Sequence, residues 1–187
     1  MEFIYVTGNK AKISSAKQYL EPLGVTVNHE KMDTPELQAD NVEDIAKYSA
    51  KYACNILNKR VIKNDTGFYV EALKGFPAAY SHYAEETLGR DGLLKLMEGV
   101  TNRKAKFIEC FALCEPNEEP ITFFSITNGR IATDDEIYGS AEWGWDSIFI
   151  PDGKDKPFAY YPDDVRHMLW DTSAYDEIFK YLKTKKD

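Results

Sequence analysis

Apolar positions along this chain follow two periods, one suited to strands and one to helices. Phe3-Ile4-Tyr5-Val6 is an unbroken apolar run without helical period, which predicts a short strand covered on both faces, as in a parallel sheet. Thr7-Gly8-Asn9-Lys10-Ala11-Lys12 turns the chain into a helix through about Leu20, and Leu23-Gly24 separates that helix from a second strand over 25–29. A β-α-β unit therefore opens the fold. Beyond 34–38, Asn41 is placed to cap a helix whose Val42, Ile45, Ala46, Ser49, Ala53, Ile56 and Leu57 fall on one stripe. Val61-Ile62 begins a strand that runs into Asn64-Asp65-Thr66-Gly67 and continues as Phe68-Tyr69-Val70, putting an acid at a strand end.

A segment of small and aromatic residues over 75–83 leads to a short helix around 92–97. Two strands follow, 106–113 and 121–127, joined by a loop with Pro116, Asn117 and Pro120, and they read as an antiparallel pair. Ser147 to Ile150 is a further strand, and Pro151-Asp152-Gly153 closes it. Ser173 with Asp176 resembles a capping box for a last helix with Tyr175, Ile178, Phe179 and Leu182 on its apolar side. Strands alternating with helices predict an α/β fold, and the length of 187 residues fits one domain over 1–187.

Composition narrows the function classes. With 31 Asp and Glu against 23 Lys and Arg, the net charge is -8, which argues against wrapping nucleic acid on a broad basic face. A small polyanion remains compatible, because local lysines and a divalent cation overcome the general repulsion and an acidic chain supplies carboxylates for the cation. No apolar run approaches the roughly 20 residues that span a bilayer, and the first residues have no leader pattern, so a cytoplasmic protein without membrane contact is expected. Three cysteines without metal-ligand spacing read as reduced core thiols.

The loop Thr7-Gly8-Asn9-Lys10-Ala11-Lys12 sits between a buried strand and a helix start, where backbone N–H groups and the helix dipole favour an anion. Gly8 allows close approach, Thr7 and Asn9 offer hydrogen bonds to phosphate oxygens, and Lys10 or Lys12 offers a point charge. Alone, the loop reads equally as a solvated helix start, and it is not a Walker A motif. Glu36 and Asp65 are the candidate magnesium ligands, since both fall in loops expected at the carboxyl ends of strands. In Trp143-Gly144-Trp145-Asp146, two indoles flank a glycine before an acid, a pattern suited to stacking a flat heterocycle and accepting a hydrogen bond from its edge. Trp145 reads as core and Trp143 as the stacking residue. Arg166 reads either as a phosphate contact or as a surface ion pair, and His29 and His82 as structural.

Together, Thr-Gly-Asn-x-x-Lys at 7–12, Pro-Glu-x-Gln at 35–38, Asp-Thr-Gly at 65–67, Gly-Arg-Ile at 129–131 and Trp-Gly-Trp-Asp at 143–146 resemble the inosine/xanthosine triphosphate pyrophosphatase family, in order and spacing, over nearly the whole chain. The resemblance implies an elongated central mixed sheet flanked by helices, with two lobes and a nucleotide cleft between them. It also implies a homodimer that hydrolyses non-standard purine triphosphates (ITP, dITP, XTP) to monophosphate and pyrophosphate with magnesium. By motif match, Thr7, Gly8, Asn9 and Lys12 would hold the triphosphate, Glu36 and Asp65 the metal and attacking water, and Trp143 to Asp146 the base. Two departures from the family pattern stand in this chain. Asn64 stands where members carry an acid, and Arg166 with Trp170-Asp171-Thr172 stands where members carry a lysine and Ser-His-Arg. The first implies slower turnover and the second altered base selection. A catalytically weak purine nucleotide sensor acting with a protein partner is the alternative reading.

Overall fold

The computed structural model describes residues 1–35 and 37–185, and for 141–143 the backbone only. Strand β1 (Glu2–Val6) leads into helix α1 (Lys10–Leu20), and β2 (Thr26–Glu30) returns parallel to β1 with Tyr5 opposite His29. Helix α2 (Val42–Leu57) then crosses to β3 (Val61–Val70), also parallel to β1, with Tyr5 opposite Ile62. The apolar run of β1 is thus paired on both edges, as its composition required. The short β4 (Pro77–Ala78) pairs antiparallel with β3, and helices α3 (Ser81–Thr87) and α4 (Gly89–Leu96) follow. Strands β5 (Lys104–Cys114) and β6 (Ile121–Ile131) are neighbours with a connection too short for a parallel crossover, and β7 (Phe149–Pro151) runs antiparallel to β6. Helices α5 (Asp163–His167) and α6 (Ser173–Thr184) complete the chain. The seven-stranded sheet, in order β2-β1-β3-β5-β6-β7 with β4 beside β3, is the expected mixed sheet with helices.

The chain divides into two compact units, residues 1–65, 109–125 and 172–187, and residues 66–108 and 126–171, so β3, β5 and β6 contribute residues to both. In the first unit, Phe3, Tyr5, Leu20, Ile62, Phe111 and Tyr175 form the core. The second unit is built on aromatics. Phe68 stacks on Phe107 at 4.6 Å and on Trp145 at 5.4 Å, and Phe158 stacks on Trp170 at 5.2 Å, with Phe149 edge-on to Phe107.

Several expectations change. Asp65 lies within the ten-residue β3 and not at a strand end, because Gly67 keeps the extended backbone and β4 pairs with the continuation at Phe68 and Tyr69. The buried stripe of α2 is Val42, Ala46, Ser49, Ala50, Ala53 and Cys54, while Ile56 is exposed. Asn41 caps α2 as expected, accepting from the Asp44 N–H at 2.8 Å. Ser173 does not cap α6; Thr172 occupies the cap position, and the Ser173 hydroxyl donates to the Phe124 carbonyl. Cys54, Cys110 and Cys114 are buried free thiols. Among the described residues, no helix is long and apolar enough to cross a membrane.

Arg130 on β6 grips both carboxylate oxygens of Glu136 at 2.6 Å, and the Thr133 N–H and hydroxyl donate to the same group. The Arg130 hydrogen bonds, joined by those of Thr133, pull the Glu136 pKa down to about 2. For a carboxylate lowered on folding, the stabilisation is fully present above the ordinary glutamate pKa of about 4.3 and disappears as pH falls through the folded value. The Glu136→Gln variant is therefore expected to melt below the wild type at neutral pH, with the gap in Tm closing between about pH 4.3 and pH 2. Thermal melts across that range check it, and a gap independent of pH contradicts the assignment.

Candidate functional site

The loop after β1 is organised by its own side chains. The Thr7 hydroxyl accepts from the Asn9 N–H at 3.1 Å, and Asn9 Oδ1 accepts from the N–H groups of Ala11 at 2.9 Å and Lys12 at 3.3 Å. Asn9 is thus the cap of α1, and two first-turn N–H groups expected to face an anion are engaged by it. The loop still offers a ligand the Thr7 hydroxyl hydrogen, the Asn9 amide NH₂ and the helix dipole, with the Lys12 charge in the first turn. Gly8 is exposed, and a Cβ there would meet only the Lys31 side chain at ordinary contact distance, so the fold by itself does not require glycine.

Of the two lysines, Lys10 is exposed and Lys12 half-buried. Burial lowers the Lys12 pKa, while the carboxylates of Glu109 and then Asp65 raise it. The α1 start, β3 and β5 therefore bring one cation and two acids together. Asp65 and Asn64 are successive on β3, and their side chains leave opposite faces of the strand. Asp65 borders a polar hollow of about 530 Å³ shared with Asp33, Thr34, Ser49 and Lys63. Lys63 Nζ donates to the Thr34 hydroxyl at 2.6 Å, which ties that loop to β3. Asn64, which also borders the hollow, donates to Glu109 Oε1 at 3.4 Å.

Glu36 lies outside the described residues. Among the described residues there is no group of three or more His, Cys, Asp or Glu that would hold a metal on its own. Magnesium does not need one, since it is held through one or two carboxylates with waters and substrate phosphates. The oxygen-rich surroundings of Asp65, with Asp33 and Thr34 on the same hollow, fit that hard cation.

In the second unit, residues 141–147 form a 3₁₀ turn broken at Gly144, with φ 53° and ψ -133°. Trp145 is buried, its backbone N–H donating to Glu85 Oε1 at 3.0 Å and its indole Nε1 to the Ser81 carbonyl at 3.2 Å. It is a core residue that fixes the turn. Asp146 follows, half-buried, its pKa raised by burial and partly restored by Arg166, 3.8 Å away. Arg166 on α5 also pairs with Asp163. The Trp143 side chain lies outside the described residues. Trp170 packs on Phe107 and Phe158, and the Asp171 carboxylate accepts from the Ile126 N–H at 2.7 Å while its own N–H donates to Thr127. The positions that align with Ser-His-Arg thus serve the core and β6, leaving Asp146 and Arg166 as the polar pair of this group.

Sequence reasoning missed Glu109 and Glu85. Glu109 carried a faint signal: by alternation it shares a face of β5 with Phe107 and Phe111, and an acid between two core aromatics breaks the apolar pattern. Glu85 carried none, because its partner is a backbone N–H distant in sequence.

The Ham1 family model matches residues 3–169. The chain is 46% identical over 159 residues to a dITP/XTP pyrophosphatase of Methanopyrus kandleri, covering 85% of this chain and 84% of that protein. To a protein of the same name from Thermococcus kodakarensis it is 43% identical over 169 residues, covering 90% of each. A solved structure of the Staphylococcus aureus Ham1 protein superposes with a TM-score of 0.80 at 26% identity, covering 100% of both chains. A Coxiella burnetii HAM1 protein, at 19% identity and TM-score 0.81, shares the fold.

At Gly144 the positive φ and the Glu85 carboxylate act together, because a Cβ would overlap that carboxylate. Gly144→Ala is expected to cost roughly 1–3 kcal/mol of stability, the range for a strained backbone position. Urea unfolding measures it, and an unchanged midpoint overturns this account of the turn.

Proposed function

The chain belongs to the Ham1 family, and on that premise we propose that it hydrolyses non-standard purine nucleoside triphosphates (dITP, ITP, XTP) to monophosphate and pyrophosphate with magnesium. The observation that carries this reading is the half-buried Lys12 beside the carboxylates of Glu109 and Asp65, at the α1 start where the helix dipole favours an anion. Such a cation is set for a polyphosphate, and Asp65 is set for a water or for the metal that accompanies the phosphates. The relatives named dITP/XTP pyrophosphatase support the substrate class.

Hydrolysis requires a bond from the water oxygen to phosphorus and cleavage of the anhydride between the α and β phosphates, with the negative charge leaving on pyrophosphate. Glu36 and Asp65 would hold magnesium, which when bound neutralises phosphate oxygens and orients them. Lys12 balances charge growing on the leaving group, and Thr7 and the Asn9 amide contact the chain of phosphates. Asp65 accepts the proton or hydrogen bond of the attacking water. By the family resemblance Trp143 would stack on the purine, and Asp146 with Arg166 would supply an acceptor and a donor that suit the N1–H and 6-oxo groups of hypoxanthine or xanthine. An adenine ring offers the reverse pattern at those atoms.

Pyrophosphate release is expected for dITP, ITP and XTP above ATP, and only with a divalent cation. Asp65→Asn is expected to abolish release while retaining measurable binding. Lys12→Ala is expected to weaken triphosphate binding far more than nucleoside binding, and Trp143→Ala to weaken every purine triphosphate by about 1–3 kcal/mol, as loss of one stacking partner does. Asn64 favours a second reading, a nucleotide sensor. Tight dITP binding by the wild type with no pyrophosphate formed over hours would establish that reading in place of the hydrolase.

A further inference from the structure

Asn64 removes a negative charge from the strand that carries Asp65, yet the neighbouring strand returns one. Glu109 on β5 is half-buried, and its Oε1 lies 3.4 Å from Asn64 Nδ2, so the amide of one strand points at the acid of the next. The geometry points to Glu109 as a positioning residue of the phosphate site: its carboxylate, delivered from β5, holds the Lys12 ammonium in place as an acid at position 64 would. This rests on the reading of Lys12 as a triphosphate contact.

A carboxylate here is costly unless it has partners. Glu109 lies between Phe107 and Phe111 on one face of β5, and Phe111 belongs to the core with Tyr5 and Tyr175. Taking a charge out of water at such a place costs several kcal/mol unless an opposite charge or hydrogen bonds offset it. The Asn64 amide is one neutral donor at long range. The charge that answers it is Lys12, on which Glu109 acts more strongly than Asp65 does. Burial raises the pKa of both Tyr5 and Tyr175, and the Glu109 carboxylate adds to the rise in each. Tyr5 is fully buried, and its hydroxyl has no hydrogen-bond partner among the described residues.

The site thus carries Lys12 with Asp65 and one further acid, the same count as a strand bearing paired acids at 64 and 65. The acid has moved one strand over, and the amide at 64 avoids placing two carboxylates side by side. Asn64 is then no mark of lost turnover.

The experiment uses the full chain and two readouts. In the first, calorimetry measures binding of inorganic triphosphate with magnesium to the wild type, Glu109→Gln, Lys12→Ala and the double variant. Glu109→Gln is expected to weaken binding fivefold or more when Lys12 is present and less than twofold in the Lys12→Ala background, because Glu109 acts through Lys12. Equal changes in both backgrounds overturn the proposal. So does tighter binding by Glu109→Gln, the sign that only a repelling charge was removed. In the second, dITP turnover is expected to fall tenfold or more in kcat for Glu109→Gln and to recover to within threefold in Asn64→Asp/Glu109→Gln. A loss that Asn64→Asp does not recover in a folded protein assigns Glu109 to the scaffold and overturns it. Should Glu109→Gln alone fail to fold, the relocated-acid variant still decides, since only the proposal expects it to bind triphosphate like the wild type. A wild type that binds magnesium triphosphate but releases no pyrophosphate defeats the hydrolase reading, and the binding cycle still judges Glu109.

Discussion

An ammonium drawn partly out of water, with two carboxylates set beside it, is the constraint on which the first unit depends. Burial favours the neutral form of Lys12, and Glu109 and Asp65 oppose that, so loss of either acid leaves the balance to the other. The three charges come from α1, β3 and β5, and each must keep its register for the others to be tolerated. A one-residue slip of β3 would exchange the faces of Asn64 and Asp65 and cost the hydrogen bond from Asn64 to Glu109. The parallel pairing of Tyr5 with Ile62, inside a core of Phe3, Phe111 and Tyr175, is what forbids that slip.

Two faces of one strand then do different work. Small residues on α2, Ala46, Ser49, Ala50 and Ala53, let that helix lie close to the sheet and leave the polar hollow at Asp65. On the opposite face, Asn64 meets Glu109 above an aromatic core. An open, oxygen-rich surround suits a carboxylate that handles a hard cation, whereas a half-buried surround suits one that must hold a lysine still.

The second unit shows how a rigid core directs polar groups. Trp145 is anchored at its indole and at its backbone by Ser81 and Glu85, and Phe68 packs on its ring, so the direction of Asp146 is set by the residue before it. Trp170 and Asp171 serve the same core and the edge of β6. Asp146 in turn meets Arg166 in a partly buried ion pair whose two ends are a hydrogen-bond acceptor and a donor.

Much of this was legible in the residues alone. The apolar run of β1, the cap at Asn41 and the ordered motifs from Thr7 to Asp146 determined an α/β chain of a nucleotide-handling family, because local period, capping chemistry and motif order do not depend on distant contacts. Other features needed the tertiary structure. Asp65 moved from a strand end into a strand, because the pairing of β4 with β3 is non-local. Ser173 left its cap for a carbonyl on β6, and the Asn9 side-chain oxygen turned to capping its own helix. The partner of Asn64 was hidden from the sequence for the same reason, since the acid that meets it, 3.4 Å away, lies 45 residues further along the chain. Strand order decides such meetings, and strand order is settled by which faces bury together, a property of the whole sheet that no window of the sequence contains.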